Sequence, residues 1–387
     1  MLKQQSGYFL SKVGSHCYLL PYGQSIADQK HGIRLNETGE FLWNTLHTPQ
    51  SMDALVTALA SHYNIERSEY PQLAEDVREF VRQLCFLGLI RDDFQPTNYH
   101  DIHVLSIAGL TIGLSAPEDF FPEQFADFCI QNNSSALTDM KIEIIPDMPK
   151  HRQNGTVLLR NKELVVMQWI EGYLLLFPSL SGVMDVYLTD AGDYARIYCR
   201  KTASSEVKEN LFHVIRHLFL YRAQLNSSYV LHSASILYQE KAWLFSGHSG
   251  MGKSTHTALW HELFQAPYLN GDLNLITFQQ GQPVVHGIPW CGTSGICTSR
   301  SYPLGGIILL NRGQTDHLEA LSPEEKTLKV MQRLISPAWT PEQLQQNLAF
   351  SQQLTGSIPV YQLFCTKEPS AAYTMKAKID EDFLKIY

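Results

Sequence analysis

Hydrophobic and polar residues change period several times along the chain, and each change predicts a different element. Residues 7–22 alternate as two short strands around a Gly14-Ser15 turn. Residues 36–92 carry a helical period instead. Asn36 to Leu46 predicts one helix, with Phe41, Leu42 and Trp43 supplying bulk. Ser51 is placed to cap a second, Met52 to Tyr63, whose apolar positions include Leu55, Val56 and Leu59. A third runs from about Glu69 to Leu87. There Leu73, Val77, Phe80, Val81 and Leu84 share one face, and Gly88 acts as a stop signal. The polar stretch Asp92 to Thr97, with Pro96, predicts a boundary, which makes 1–95 a first domain.

Beyond it the pattern turns to strands. Short β-prone runs recur at Ile102–Leu114, Lys141–Ile145, Thr156–Leu159, Glu163–Trp169, Tyr173–Phe177 and Arg196–Tyr198, separated by Gly, Asn, Asp and Pro. This predicts a largely antiparallel region. A long helix follows over Glu206 to Leu225, burying Leu211, Val214, Ile215 and Leu218. Then come strands Tyr229–Leu237 and Lys241–Phe245, the second leading straight into a glycine-rich loop. The expected fold class is α/β, or α+β overall. A β-rich middle region, 96–228, belongs with a final domain, 229–387, built on a mixed sheet.

Composition narrows the function classes. Hydrophobic residues make up 44% and charged residues 18%, enough apolar material for real cores, which excludes global disorder. The net charge of −8 argues against a nucleic-acid binder. No apolar run approaches the ~20 residues that span a bilayer, and MLKQQSGYFL has no apolar signal core. Neither a membrane nor a nucleic acid is therefore expected as a partner. The seven cysteines are scattered without a CxxC pair, so a reduced, cytoplasmic chain is expected.

The loop carries the chemistry. Gly247, His248, Ser249, Gly250, Met251, Gly252, Lys253 and Ser254 fit G-x-x-x-x-G-K-[ST], with Thr255 next. An apolar strand, Ala242–Phe245, precedes it and a helix-compatible run, Ser254–Phe264, follows. Glycines let the backbone curl so that several N–H groups point at phosphate oxygens, and a helix amino terminus adds positive potential. Lys253 brings a full charge to the β- and γ-phosphates, and the Ser254 hydroxyl is a Mg²⁺ ligand. ATP and Mg²⁺ are the implied cofactors. No apolar run ends in Asp-Glu as a motor ATPase needs, and no NKxD reads guanine. Instead Tyr268-Leu269-Asn270-Gly271-Asp272 predicts a strand whose end sets one carboxylate beside the loop. Asp272 then either holds Mg²⁺ or accepts a proton from an attacking hydroxyl; an ordinary Asn-Gly-Asp turn is the other reading.

The composition of 286–300 suits a glycine-rich active-site lid better than a surface turn, which is the alternative. Gly287, Gly292 and Gly295 allow close backbone approach, and Thr293, Ser294, Thr298 and Ser299 offer hydroxyls. Arg300 can pair with phosphate or a substrate carboxylate. Cys291 and Cys297 read as small packing residues, and Arg312 and Arg333 as solvated or core-edge positions.

From about Tyr229 to Ala320 the chain resembles the HPr kinase/phosphorylase group, whose fold is related to phosphoenolpyruvate carboxykinase. The resemblance rests on Leu231-His232-Ser233-Ala234, the loop with Thr255, the Leu269–Asp272 stretch, and His286-Gly287-Ile288-Pro289-Trp290-Cys291-Gly292-Thr293. It implies phosphorylation of a protein or peptide serine with ATP and Mg²⁺, and assembly as a homo-oligomer. His232 matches a histidine that lies near the phosphates in that group; a buried structural histidine is the alternative. The group usually carries two adjacent aspartates where this chain has Gly271-Asp272. No phosphorylase signature is found, so reverse phosphorolysis is not expected.

Residues 7–92 resemble the PqqD-like domain, or RiPP recognition element. The resemblance rests on two strands, then Gly32-Ile33-Arg34-Leu35-Asn36-Glu37-Thr38-Gly39-Glu40-Phe41-Leu42-Trp43, then Asp76-Val77 with Phe80, and Leu87-Gly88-Leu89-Ile90. It implies capture of a leader peptide as an added strand against the third helix. Arg78 and Arg82, one turn apart, can meet acidic leader residues; a winged-helix-type packing module with solvated arginines is the alternative. Together the resemblances imply a kinase for Ser or Thr of a ribosomally made precursor peptide. Asp272, His232 and Lys253 would be catalytic, residues 247–255 and Arg300 would hold nucleotide, and Ser254 and Asp272 would hold metal. A kinase of a free small molecule, or a non-catalytic nucleotide-gated subunit presenting a peptide, are the rival expectations.

Overall fold

The structure, a computed structural model, describes residues 2–92, 102–130, 138–149, 155–169 and 172–384. Within these, the side chains of Arg82, Phe86, Arg91, Asp92, Ile102, Trp169 and Thr293 are outside the description. The architecture is mixed α/β. The chain packs as two units. One is Met1–His100 with Glu143–Asp190 and Arg196–Val207; the other is Asp101–Ile142 with Ala191–Ala195 and Lys208–Tyr387. The middle region is thus shared between them. Apart from Asp92, the boundary expected at 92–97 lies outside the described residues.

The first unit opens with β1 (Leu2–Gln4), β2 (Tyr8–Val13) and β3 (His16–Pro21), a four-residue helix α1 (Gln24–Ala27), and β4 (Ile33–Leu35). Helices α2 (Glu37–Thr45), α3 (Met52–Tyr63) and α4 (Tyr70–Phe86) follow, then β5 (Ile90–Asp92). The sheet order is β2-β3-β4, with β4 at an edge, and β1 pairs separately with β5. Helix starts are fixed by side chains that satisfy orphan amides. Asn36 Oδ1 accepts from Gly39 N at 2.8 Å and Ser51 Oγ from Ala54 N at 3.1 Å. Leu42, Trp43, Leu55, Leu59, Val77, Val81, Leu84 and Leu19 form one core drawn entirely from residues 2–90. The expected face of the third helix is therefore the buried one.

Between these and the glycine-rich loop lie β6 (Ile102–Ile107), β7 (Leu110–Ser115), β8 (Met140–Ile145), β9 (Thr156–Arg160), β10 (Val165–Trp169), β11 (Gly172–Leu176), β12 (Val183–Thr189) and β13 (Tyr194–Cys199), then α5 (Ser205–Leu225). The single run expected over 102–114 is a hairpin, because Ala108 and Gly109 take positive φ of 54° and 84°. Strands β9 to β12 form an antiparallel meander. In the first unit Arg196 Nη2 meets Glu143 Oε2 at 3.3 Å with both side chains buried. Strand β12 has no counterpart among the predicted runs, since Asp185 interrupts its apolar pattern and is itself fully buried.

The second unit's main sheet uses β14 (Tyr229–Tyr238), β15 (Lys241–Ser246), β16 (Leu273–Gln279), β17 (Gln282–His286), β18 (Ser301–Arg312), β19 (His317–Glu319) and β20 (Val360–Cys365). Its helices are α6 (Lys253–Phe264), α7 (Pro323–Met331), α8 (Pro341–Ser357) and α9 (Pro369–Leu384). The order is β15-β14-β16-β17-β18-β20-β19, and β15 also pairs β18, so five strands close into a ring. Pairs β15–β18 and β18–β20 are parallel and the rest antiparallel. β18 is apolar at every position from Leu304 to Leu310 except its glycines, as a strand covered on both faces must be. Ile307 and Leu309 pack with Val330, Phe350 and Leu354 of α7 and α8; Ile308 and Leu310 pack with Trp260, Ala372 and Met375 of α6 and α9.

Candidate active site

Three parallel strands set the site. β15, β18 and β20 end side by side, with Ser246 opposite Leu309 and Arg312 opposite Cys365. Their carboxyl ends carry the glycine-rich loop, Arg312 and Lys367. The loop turns through Gly250 and Gly252 at φ of 75° and 96°, values that a side chain strongly disfavours. The helix α6 then starts at Lys253, so its amino terminus faces the loop's interior. Lys253 is buried, and its Nζ donates to Gly247 O at 3.4 Å. Burial lowers its pKa, with Asp272 acting in the opposite direction and Arg333 adding to the fall.

The loop walls a cavity of about 520 Å³. Ser249, Gly250, Gly252, Lys253, Ser254 and Thr255 line one side, and His232, Gly271, Asp272, Cys291, Gly292, Ser294 and Lys367 complete it. Nε2 of His232 donates to Asp272 Oδ1 at 3.0 Å. That hydrogen bond is the main reason the Asp272 carboxyl sits below its ordinary value; burial opposes it, and the charges of His232, Lys253 and Arg216 reinforce it. Asp272 is therefore an anion at neutral pH, held by a histidine on the strand that precedes the loop.

The sequence pattern predicts Asp272 at the end of a strand; the structure has it before one. β16 begins at Leu273, and Tyr268 makes only an isolated bridge to Ile236. Asn270 supplies the order that a strand would have given. It is 1% exposed, and its Nδ2 donates to Leu273 O at 2.7 Å and Ile288 O at 3.3 Å. Its Oδ1 accepts from Thr298 N at 3.1 Å. Ser235 and Asn274 join beneath it, Ser235 Oγ donating to Asn274 Oδ1 at 2.7 Å. One buried amide thus ties the Asp272 turn to both ends of the 288–298 segment.

Gly271 matters because of close approach. A Cβ there would lie 1.8 Å from Ser294 Oγ and 3.0 Å from Cys291 O. The 291–294 turn therefore occupies the space of any side chain at 271. Of the other residues singled out, His248 is exposed and accepts at Nδ1 from Arg333 Nη1 at 3.0 Å. Gly247 and Met251 are structural parts of the loop and do not line the cavity. Arg300 is exposed and does not line the cavity; its backbone O accepts from Gly287 N at 3.1 Å. Cys291 lines the cavity and Cys297 is exposed.

Arg312 and Arg333 are closer to the loop than a solvated or core-edge reading suggests. Arg312 Nη2 donates to Gly250 O at 3.1 Å. Arg333 is fixed just past α7, where its O accepts from His232 N at 2.9 Å and Ile335 N donates to Val230 O at 3.0 Å. Lys367 carries no motif and was not foreseen. Its signal is topological: it follows a strand parallel to the one that feeds the loop.

Among the described residues no group of three or more His, Cys, Asp or Glu could hold a metal. The available donors, the Ser254 hydroxyl and the Asp272 carboxylate, are hard oxygens. That sparse set fits Mg²⁺, which keeps several waters and takes one or two protein oxygens plus phosphates. It does not fit zinc.

In the first unit a second cavity, of about 440 Å³, opens between α2, α3 and α4. Leu42, Leu59, Leu73, Val77 and Phe80 make it apolar, while Asn36, Thr38 and Asp76 give it a polar rim. Arg78 pairs with Glu75 at 3.0 Å. Among the described residues no helix is long and apolar enough to cross a membrane.

Residues 23–90 match the family of coenzyme PQQ synthesis protein D (PqqD). No curated protein matches the chain. Among solved structures, TbiB1 in complex with the TbiA(beta) leader peptide is similar at 18% identity with a TM-score of 0.20, over 24% of this chain and 99% of that one. The Hpr(Ser) kinase/phosphatase from Coxiella burnetii is similar at 9% identity with a TM-score of 0.25, over 41% of this chain and 97% of that one. Likenesses at this level leave the site to be argued from its own geometry.

Proposed function

We propose that the chain is an ATP-dependent kinase that phosphorylates a serine or threonine of a ribosomally made precursor peptide. The observation that carries this reading is one cavity holding both a glycine-rich cradle with a buried lysine and a histidine-bound carboxylate. A cradle alone suits any nucleotide switch. A charged carboxylate across from it adds the means to take a proton from a hydroxyl.

In this reading the loop amides, the α6 amino terminus and Lys253 hold the β- and γ-phosphates. Arg333 adds charge on the His248 side, and Lys367 and Arg312 flank the loop. Mg²⁺ held by Ser254 and Asp272 would neutralise charge on those phosphates. Asp272 accepts the proton of the incoming hydroxyl, and His232 keeps the carboxylate oriented and ionised. The work is positioning and electrostatics, which is what phosphoryl transfer requires of a protein.

The PqqD match over residues 23–90 supports a peptide as substrate. Strand β4 is a three-residue sheet edge, and among the described residues no strand pairs with its far side, where an added strand would dock. The 440 Å³ cavity begins where β4 ends and takes a bulky apolar side chain from the same peptide. A transfer assay tests the proposal: full-length chain, Mg²⁺, γ-labelled ATP and a leader-bearing precursor peptide that binds the chain. Label is expected on a peptide hydroxyl. A folded, ATP-binding chain that transfers none would overturn the reading.

A further inference from the structure

The turn at 291–294 does more than cover Asp272. It presents a hydroxyl inside the same cavity as the glycine-rich loop. Ser294 ends a single helical turn, Gly292–Ser294, and lies on the cavity wall with His232 and Asp272. Its Oγ comes within 1.8 Å of where a Cβ on Gly271 would stand. The turn's backbone rests directly on the carboxylate: a Cβ on Gly292 would be 3.1 Å from Asp272 Cγ and 3.4 Å from Oδ2. Ser294 is exposed, and its Oγ donates to Cys291 O at 2.7 Å and accepts from Ile296 N at 3.2 Å. Both contacts are to backbone atoms within three residues of Ser294, so a χ1 rotation frees the hydroxyl without unfolding anything. Gly292 and Gly295, at φ of 63° and 66°, bracket the turn with backbone that tolerates such adjustment.

We propose that Ser294 is a phosphoryl acceptor in its own right, modified by the chain's own site when no peptide hydroxyl fills the cavity. This rests on the kinase reading given above and extends it to a modification site. The Ser294 Oγ lone pair attacks the γ-phosphorus of a bound nucleoside triphosphate, forming an O–P bond. The bond from that phosphorus to the β,γ-bridging oxygen breaks, and the nucleoside diphosphate leaves with its electron pair. The hydroxyl proton passes to the Asp272 carboxylate. No further reactant is required.

The acceptor is intramolecular, on the wall of the same cavity as the carboxylate, and so has a large advantage in effective concentration over any free serine. The product would place two negative charges beside Asp272. The turn would then repel the carboxylate on which it packs.

The test uses the purified full-length chain with Mg²⁺ and γ-labelled ATP and no peptide. Intact mass and site mapping are followed together with release of ADP. A single phosphoryl group on Ser294 is expected, appearing at a rate independent of chain concentration. It should be absent from Ser294→Ala and from Lys253→Ala chains whose melting curves show them folded. Site mapping on the unaltered chain does not depend on either variant folding. ADP release with Ser294 unmodified, or label on any other residue, overturns this inference and leaves the kinase reading standing. A chain that neither binds nor turns over ATP overturns both.

Discussion

At the residue scale, the pair His232–Asp272 decides what the site does with pH. The carboxyl is held below the ordinary value of about 3.9, chiefly by the hydrogen bond from His232. A depressed carboxyl contributes stability that is complete above its unfolded value and lost as pH falls through its folded value. Activity that needs the anion should follow the same acid limb. Replacing His232 by Gln weakens the main lowering cause and leaves burial, which raises the pKa. The acid limb of kcat/KM should therefore move to higher pH, and a pH–rate profile of the two chains checks it. Asp272→Asn should cut transfer by about 10²–10⁴-fold while ATP binding survives, measured by turnover and by calorimetry. Gly271→Ala has a different cause. The methyl would meet Ser294 and a backbone oxygen, so the 291–294 turn must shift, at a cost of about 1–3 kcal/mol by thermal melting. A melt equal to that of the unaltered chain would contradict this packing. Asn270 escaped the sequence reading because nothing in Asn-Gly-Asp says which of its polar atoms will be buried. Only the fold brings Leu273 O, Ile288 O and Thr298 N around one amide.

At the scale of elements, legibility tracked the range of the interactions. Helices α2, α3 and α4 were readable because their caps and faces are local: Ser51 caps three residues ahead, and Val77, Val81 and Leu84 repeat along one side. The loop and its flanking strand and helix were readable for the same reason. Strands β1 and β5 were not, since three-residue strands have no period and form by pairing across the sequence, β1 with β5 and, at Leu2, with Gln50. Asp272 was assigned to the wrong side of its strand because Tyr268 and Leu269 look β-prone, while the ladder with β14 starts only at Leu273. Two element-level outcomes can be measured. Asn270→Ala strips partners from buried backbone groups in the 288–298 segment, each unpaired group costing about 1–3 kcal/mol, and hydrogen exchange should rise at Thr298. Thr38→Trp places bulk at the rim of the α2–α4 cavity, outside the core. Peptide affinity should fall by about tenfold, roughly 1.4 kcal/mol, with an unchanged melt; undiminished binding would remove that cavity from the docking surface.

For the molecule as a whole, the proposed function puts capture and chemistry on different parts of one chain, and kinetics can tell them apart. A peptide held by residues 2–92 reaches the cradle at the effective concentration its tether sets, in the mM range for short flexible linkers. A core peptide without its leader should show a raised KM and a nearly unchanged kcat; equal KM values for both peptides would break the link between the two cavities. Neither a charge of −8 nor 44% apolar content reveals such a division. It emerges from a local motif near residue 250, from PqqD similarity near residue 50, and from a core closed within residues 2–90. The pairing of β1 with β5 has a practical corollary. Because that small fold begins and ends on neighbouring strands, both of its ends emerge at one place. A segment with that property can be spliced into a surface loop of an unrelated host without stretching either junction, as domain insertions commonly are. If the proposed peptide docking holds, residues 2–92 are thereby a cassette for conferring peptide recruitment on another enzyme.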